Sequence, residues 1–328
     1  MARGKNRKLS LDSDISDLDL VTRVAWMYYK EKMTQAEIAA KTFLSRQKVQ
    51  RYLERARDLE IIQFDVKNPK ANLLSIEEDL KKKFDLKDAV VVPASHTNIE
   101  GLRRSLCMAG AHYLERRLAD SGDSTLGVGW GNTTAYLADY FQPDYSHNRI
   151  KVVSLIGNLM LNVSMNPFLL GQKIAEKLNA PFYNIWGPAI AQTKERANIF
   201  MSEPWISEVI SIAEKADINL LSIGELSYSA SLFQMGYLSE EDLKRLSDKG
   251  AVGDILCRFF DQDGSIITDE IHDRVVSISL DVLCDKNKIC IGISGGASKQ
   301  RAIAAAMRKK YINVLSTDED TAKELLNT

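Results

Sequence analysis

The sequence predicts an α/β protein with a small N-terminal helix-turn-helix unit and a larger, doubly wound domain built on a mostly parallel, Rossmann-like sheet. Two short amphipathic helices with a tight turn between them occupy residues 34–60. From residue 86 onward, short runs rich in β-branched residues alternate with helical stretches, the pattern of repeated βα units. The length of 328 residues favours two domains over one.

The charge of the chain is balanced, with 43 basic and 44 acidic side chains, so the molecule as a whole is no polycation. The four cysteines show no CxxC spacing and the four histidines are scattered, so we expect free thiols, no metal and no cofactor. The basic start leads into an acidic stretch, and no apolar run is long enough to span a bilayer. These features predict a cytoplasmic protein with no membrane partner.

The N-terminal part is predicted to divide into a tail and a small helical domain. Residues 1–17 are polar and aperiodic, and we expect them to be disordered. Residues 18–68 are predicted to form a winged helix-turn-helix. A first helix over Asp17–Lys32 has apolar residues at helical spacing and packs against the two helices that follow. After Glu60, β-branched and aromatic residues ending at Pro69 predict a short strand, the wing.

Capping residues and one apolar stripe predict the helix-turn-helix itself. Thr34 and Glu37 stand three residues apart, the spacing of a capping box, and Ser45 suits the N-cap of the second helix. Apolar residues of this second helix follow the i, i+3, i+4, i+7 pattern of a buried face: Val49, Tyr52, Leu53 and Ala56.

Polar and basic residues remain on the outer surface near the start of the second helix. Between residues 41 and 58, six residues are basic and two are acidic. A helix-turn-helix places this part of its second helix in the major groove, where glutamines suit base edges and cations suit phosphates. A solvated face on an ordinary helical hairpin is the alternative. The candidate DNA-binding residues are Thr34, Gln35, Ser45, Arg46, Gln47, Lys48, Gln50 and Arg51.

The remainder of the chain is predicted to be a connector followed by the larger domain. A helix over residues 72–84 is interpreted as the linker of residues 69–85, or as a dimerising helix. Residues 86–328 are predicted to form the α/β domain. Its predicted strands lie at residues 89–92, 152–156, 182–185, 218–223, 255–260, 289–293 and 312–315, with a further strand that runs from residue 124 into a glycine-rich turn.

Three stretches fall where a strand meets a helix, the edge at which open α/β sheets bind ligands. The first is GVGWGNTT at residues 127–134, where glycines let the backbone approach an anion, and amides and hydroxyls suit a phosphate. It is neither a dinucleotide fingerprint nor a P-loop, and a tight turn without a ligand is the alternative. Its candidate residues are Gly127, Gly129, Gly131, Asn132, Thr133 and Thr134.

The other two stretches each contribute one charged candidate. Asp254 stands where a small-residue turn enters a buried strand, and its carboxylate either binds sugar hydroxyls or caps the turn. Lys299 follows two glycines in the first turn of a helix, where a cation opposes the helix dipole unless an anion is bound there. A surface lysine is the alternative for Lys299.

Together these residues resemble the SorC/DeoR-type family of bacterial sugar-responsive transcriptional regulators. The resemblance covers nearly all of residues 20–326, and its motifs occur in family order. The N-terminal blocks are RVAWMYYKEKMTQAEIAAK and SRQKVQRYLERARDLEIIQFDV. The later blocks are STLGVGWGNTT, SIG at residues 222–224, KGAVGDILCRFFDQDGSII, ISGGASKQRAIAAAM and YINVLSTDEDTAKELL.

The resemblance implies a homotetramer that binds operator DNA through paired winged helices, and a larger domain related to sugar-phosphate isomerases and deaminases. It also implies that a phosphorylated effector binds at the glycine loop, the aspartate after GAVG and the lysine after the glycine pair. In this sequence those positions are Gly129, Asn132, Thr133, Thr134, Asp254 and Lys299.

The expected function is therefore DNA-binding regulation of a carbohydrate-utilisation operon, by repression, under the control of a sugar, polyol or phosphorylated sugar. A sugar-phosphate isomerase- or deaminase-like enzyme with an appended DNA-binding head is the alternative. The related deaminases carry Gly-x-Asp-Gly-His where this chain has Gly224-Glu225-Leu226-Ser227. No catalytic residue is therefore expected.

Overall fold

The structure is a computed structural model that describes residues 6–59, 61–62, 69–94, 98–143, 149–159 and 166–328. The chain divides into two compact units, residues 1–68 and residues 69–328. The first unit contains helices α1 (Asn6–Tyr29), α2 (Gln35–Thr42) and α3 (Arg46–Asp58). One side of each helix contributes to the core of this unit, in which Val21 and Val24 of α1 and Ile38 of α2 are fully buried. The predicted stripe of α3 is buried against them: Val49, Tyr52, Leu53 and Ala56.

Helix α1 starts earlier than the sequence analysis predicts. Residues 1–17 are expected to be disordered, yet the helix begins at Asn6. Neither glycine nor proline occurs in residues 6–29, so nothing breaks the helix once its C-terminal half has packed. The strand predicted for the wing falls mostly on residues 63–68, which lie outside the described ranges.

The larger unit alternates strands and helices. Its helices are α4 (Pro69–Phe84), α5 (Ile99–Ala119), α6 (Leu137–Tyr140), α7 (Pro167–Leu178), α8 (Lys194–Ser202), α9 (Pro204–Glu214), α10 (Ser231–Gln234), α11 (Glu240–Asp248), α12 (Gln300–Arg308) and α13 (Glu319–Asn327). Its strands are β1 (Asp88–Val92), β2 (Ser124–Val128), β3 (Ile150–Ser154), β4 (Phe182–Tyr183), β5 (Ile218–Leu221), β6 (Gly224–Glu225), β7 (Gly253–Ile255), β8 (Arg258–Phe260), β9 (Ile289–Ile293) and β10 (Val314–Asp318). Every helix in the described ranges is too short or too polar to cross a lipid bilayer.

Seven strands form one sheet in the order β1-β10-β9-β5-β2-β3-β4, and all neighbouring pairs are parallel. The predicted parallel sheet is thereby confirmed. Adjacent residues of a strand face opposite sides, and Leu220 and Leu221 belong to two different core clusters. Both faces are therefore covered, as in a doubly wound domain. From β2 toward one edge of the sheet the strands follow in the order β2, β3 and β4. From β5 toward the other edge they follow in the order β5, β9 and β10. The switch point therefore lies between β2 and β5.

A small antiparallel sheet corrects the prediction of one strand over residues 255–260. The structure instead forms a β7–β8 hairpin that pairs with β6. The chain reverses at Leu256 and Cys257, whose φ angles are 52° and 62°. The Asp254 carboxylate supports this turn by accepting a hydrogen bond from the Cys257 N–H at 3.1 Å. Neither turn residue is a glycine or asparagine, so the sequence gives no signal for the reversal.

Helix α4 is a packed part of the larger unit, which corrects its interpretation as a linker. Ile76, Leu80 and Phe84 are buried in the same core cluster as Leu315 of β10. Glu77 accepts a hydrogen bond from the Val91 N–H at 2.8 Å, and burial raises the pKa of its carboxyl. The apolar face of the helix is therefore covered by its own chain.

After the glycine loop the chain forms a 3₁₀ turn at Thr134–Tyr136 and the four-residue α6 in place of one continuous helix. Helix α8 was not predicted, because residues 194–202 contain few apolar residues at helical spacing.

Candidate functional site

The caps predicted for the helix-turn-helix are present. The Thr34 hydroxyl accepts from the Glu37 N–H at 3.3 Å, and the Glu37 carboxylate accepts from the Thr34 N–H at 2.7 Å. The hydrogen bonds that the Thr34 N–H and the Thr34 hydroxyl donate to the Glu37 carboxylate lower the pKa of Glu37. Ser45 caps α3 by accepting from the Lys48 N–H at 3.2 Å. The two helices therefore begin where the sequence indicates.

The turn between α2 and α3 contains an exposed Phe43 in the left-handed conformation. Its φ is 54°, and its N–H donates to Ala39 O, so it occupies a position that favours glycine. The side chain is 95% exposed and gains nothing from packing in the described unit. The left-handed backbone of Phe43 therefore lowers the stability of the turn between α2 and α3, because a glycine would adopt this conformation without strain.

The candidate DNA-contacting side chains share the exposed surface of α3: Arg46, Gln47, Lys48, Gln50 and Arg51. Two of them already have neighbours on the helix. The Gln50 amide donates to Glu54 at 3.1 Å, and the Lys48 ammonium lies 5.5 Å from the centre of the Tyr52 ring. Among the described residues of this unit, Arg46, Gln47 and Arg51 have no such contact. Of the remaining candidates, Ser45 is exposed and serves as the cap of α3, Thr34 is exposed at the start of α2, and Gln35 is half-buried.

Asp17 of α1 holds the far end of α3. Its carboxylate accepts from the Tyr52 hydroxyl at 2.6 Å and from the Arg55 guanidinium. The hydrogen bond from Tyr52 and the contact with Arg55 lower the pKa of Asp17. Arg55 is therefore engaged within its own unit.

In the larger unit, a crevice lies at the carboxyl ends of β2 and β5, at the switch point of the sheet. We call it the switch-point crevice. Its lining residues are Arg103, Trp130, Gly131, Asn132, Ser222, Ile223, Gly224, Glu225, Ser229, Ala230, Ser231, Leu232, Asp254 and Lys299. It therefore brings together residues from all three stretches singled out in the sequence. The cavity among them is small, about 40 Å³.

The glycine loop contributes Gly131 and Asn132 to the crevice. A Cβ on Gly131 would lie 2.4 Å from the Cβ of Ser222, so only glycine allows the loop to approach the end of β5. The Asn132 amide donates to the hydroxyl of Ser231, which stands at the start of α10. This bond joins the two walls of the crevice.

Four other candidates of the glycine loop do not line the crevice. Gly127 lies within β2, and a Cβ there would be 2.5 Å from Leu155 Cδ2. Gly129 donates its N–H to Leu220 O at 2.8 Å and continues the pairing with β5. Thr133 and Thr134 are buried, and the Thr134 hydroxyl donates to Gly131 O at 3.3 Å. These residues shape the loop in this structure.

Asp254 lies on β7 with its carboxylate in the wall of the crevice. It is 5% exposed, and burial raises its pKa to about 6, although the Cys257 N–H and the charge of Lys299 act in the opposite direction. Directly across the strand pair is Gly224, where a Cβ would lie 1.9 Å from Asp254 Oδ1. The turn-capping role considered for Asp254 is therefore confirmed, whereas its binding of sugar hydroxyls stays a prediction for a side chain that lines the crevice.

Lys299 reaches the crevice from the end of the short 3₁₀ turn that precedes α12. Its ammonium donates to Ile223 O at 2.8 Å. Burial lowers the pKa of Lys299, and the negative charges of Glu225 and Asp254 oppose that effect. The Gly296 N–H is bound to Asp318 at 3.0 Å and to the Thr321 hydroxyl at 2.8 Å, so the glycine pair is tied to the start of α13.

Sequence reasoning missed two charged residues of the crevice, Arg103 and Glu225. Arg103 lies on α5, within a stretch whose charges resemble those of any exposed helix face. Glu225 follows the SIG motif and enters the crevice because β6 pairs with β7. The position of Glu225 after the end of β5 was the available signal, since ligands bind at that edge.

A larger cavity of about 760 Å³ lies near the ends of β3 and β4. Its lining is mainly apolar and aromatic and includes Phe168, Trp186 and Phe200. It has Arg196 as its charged residue among the described lining residues, and it shares no lining residue with the switch-point crevice. A polar anion is better matched by the smaller crevice, where four charged side chains converge.

Comparison with known proteins gives a consistent result. A family model described as "Putative sugar-binding domain" matches residues 68–327. The chain is 31% identical over 317 residues to the transcriptional regulator LsrR of Enterobacter sp. (strain 638), covering 95% of this chain and 94% of the relative. It is 31% identical over 310 residues to the deoxyribonucleoside regulator of Bacillus subtilis (strain 168), covering 94% and 97%.

Among solved structures, the full-length sorbitol operon regulator SorC from Klebsiella pneumoniae is similar to this chain. The TM-score is 0.73 at 27% identity, and the match covers 95% of this chain and 99% of that one. Similarity along almost the whole length includes the helix-turn-helix residues as well as the sheet. The chain therefore belongs to the sugar-binding domain family of SorC/DeoR-type transcriptional regulators.

Proposed function

We propose that this chain is a DNA-binding repressor of a carbohydrate-utilisation operon and that a phosphorylated sugar in the switch-point crevice controls it. The observation that carries the proposal is the convergence of Asn132, Asp254 and Lys299 in one crevice at the switch point. The cations Lys299 and Arg103 suit an anionic group, and carboxylates with an amide suit hydroxyls. The names of relatives that regulate sorbitol and deoxyribonucleoside genes support a carbohydrate-derived ligand.

In this proposal the first unit is a winged helix that reads an operator with its α3 surface. A homotetramer presents such units in pairs, because a two-fold arrangement matches a palindromic operator. The ligand changes operator occupancy only if it binds one quaternary arrangement better than the other. Its affinity difference between the two arrangements therefore determines the response.

The DNA-binding part is tested by selecting duplexes from a random-sequence library with the purified full chain and measuring affinity for the selected site. Arg51→Ala is expected to weaken binding at least several-fold and to reduce its salt dependence by about one counterion. Arg23→Ala is the matched control, since it removes an arginine that is likewise exposed, from α1. Equal affinities of the two variants would remove Arg51 from the interface.

The ligand part is tested by a thermal-shift screen of free and phosphorylated sugars and polyols. A ligand at a hundredfold excess over Kd stabilises the folded state by about 2.7 kcal/mol, which is easily measured. Lys299→Met is expected to abolish the shift for phosphorylated compounds. A hit whose stabilisation survives Lys299→Met would place its binding site elsewhere.

Sugar-phosphate isomerisation or deamination is the second candidate function. It is favoured by the two carboxyls in the crevice, one of which, Asp254, has a pKa raised to about 6 that suits proton transfer near neutral pH. Incubating the protein with the compounds that stabilise it and following product formation by NMR decides between sensor and enzyme. Turnover that Asp254→Asn abolishes would establish the enzyme.

A further inference from the structure

Glu225 presents one satisfied and one unsatisfied carboxylate oxygen in the switch-point crevice. Its Oε1 accepts from the Ser227 hydroxyl at 3.2 Å and from the Ser229 hydroxyl at 3.0 Å. Its Oε2 is buried from solvent and has no hydrogen-bond partner in the described part of the chain. A buried carboxylate oxygen is a strong acceptor, and leaving it unpaired is unfavourable.

The backbone keeps Glu225 in this position. It belongs to β6, where it is paired with Gly253, while its neighbour Gly224 is paired with Asp254. The two serine hydroxyls hold the other oxygen. The side chain therefore cannot turn its free oxygen to solvent without losing two hydrogen bonds.

We propose that Glu225 determines ligand specificity by accepting a hydrogen bond from a hydroxyl of the effector, so that the crevice selects hydroxylated anions over anions without a donor. This inference rests on the proposed function, because it concerns a ligand bound in the same crevice as Lys299. Sulfate, which has no O–H at neutral pH, brings only acceptors to the carboxylate and is repelled by it. A sugar or polyol phosphate brings an O–H donor that the free oxygen can bind.

The charged side chains that line the crevice indicate the chemical class of the ligand. Lys299 and Arg103 are donors with positive charge, whereas Glu225 and Asp254 offer acceptors. A ligand matches both pairs only if it has an anionic group and at least one hydroxyl on the same molecule. Simple dicarboxylates meet the cations but place further acceptors against Glu225.

The experiment compares wild-type protein with Glu225→Gln by isothermal titration of the full chain. The probes are ribose 5-phosphate, glucose 6-phosphate, glycerol 3-phosphate and sulfate. Glutamine keeps the shape of the side chain but replaces the charged acceptor with a neutral amide. We expect the preference of the best phosphate ester over sulfate to fall about tenfold, since a charge-assisted hydrogen bond is lost and a repulsion is removed. Glu208→Gln, on the exposed side of α9, is the control and should leave the preference unchanged.

Thermal stability supplies a readout that needs no ligand. Because Oε2 is buried without a partner, neutralising it should leave the melting temperature of Glu225→Gln at or above that of wild type. A residue needed only to hold the β6 loop would instead give a lower melting temperature with an unchanged ligand preference, and this result overturns the inference.

The remaining outcomes separate this inference from the proposed function. If wild type binds the esters and Glu225→Gln has the same preference for them over sulfate as wild type, the specificity role of Glu225 is wrong and the sensor proposal stands. If no probe and no other phosphate ester binds wild type, both are wrong.

Discussion

Substitution of Gly224 by alanine tests the geometry that places Asp254 in the crevice. Gly224 has no positive φ, so alanine is acceptable to its backbone, and the effect is steric. The new Cβ would lie 1.9 Å from Asp254 Oδ1. The carboxylate is buried and its other oxygen accepts from the Cys257 N–H, so it cannot move away freely. Overpacking of this kind costs about 1–3 kcal/mol, and loss of the hydrogen bond costs about 1 kcal/mol more. We expect Gly224→Ala to lower the free energy of unfolding by roughly 2–4 kcal/mol.

The assay is chemical denaturation of the full chain, followed through a signal from the larger unit, in a double-mutant cycle with Asp254→Ala. Removing the carboxylate removes the atom that the methyl group meets, so most of the cost should disappear in the Asp254→Ala background. Gly122→Ala is the matched control, because a Cβ there meets no atom within 4 Å. A Gly224→Ala cost as small as that of the control, or one that persists without the carboxylate, would refute this reasoning.

Two further predictions concern pH and the helix-turn-helix. Burial raises the pKa of Asp254 from 3.8 to about 6, so the folded protein binds a proton at this carboxyl more tightly than the unfolded chain does. The free energy of unfolding of wild type should therefore fall by about 3 kcal/mol relative to Asp254→Asn as pH rises from 4 to above 6. Parallel stability curves for the two proteins in denaturation at several pH values would contradict this. Phe43→Gly should stabilise the first unit by roughly 1 kcal/mol, because glycine accepts φ near 54° and the exposed ring loses no packing. Slower hydrogen exchange of the α2 and α3 amides checks this, and faster exchange would show that the ring has a structural role.

Local signals allowed the sequence to predict the starts of two helices to the residue. Helices α2 and α3 begin directly after the predicted caps Thr34 and Ser45. Each capping contact spans three residues, so spacing alone reveals it. The parallel sheet was equally visible, because buried strands are short apolar runs between helices.

Features that depend on long-range pairing were not predictable in the same way. The β7–β8 hairpin turns at Leu256 and Cys257, where neither residue type indicates a reversal. Glu225 enters the crevice only because β6 pairs with β7, about thirty residues later in the chain. The sequence did allow us to predict that Asp254 and Lys299 line the same crevice, because ligands in open α/β sheets bind at the carboxyl ends of the strands. The order of the strands in the sheet could not be predicted in this way.

The hydrogen bond from Lys299 to the carbonyl of Ile223 has a consequence for the sensitivity of the molecule. Under the proposed function, an incoming anion displaces this intramolecular acceptor instead of meeting a free ammonium, so the gain on binding is the difference between two hydrogen bonds. Such competition raises the effector concentration at which half of the sites are filled. The proposed regulator would then respond to accumulated effector and not to traces of it.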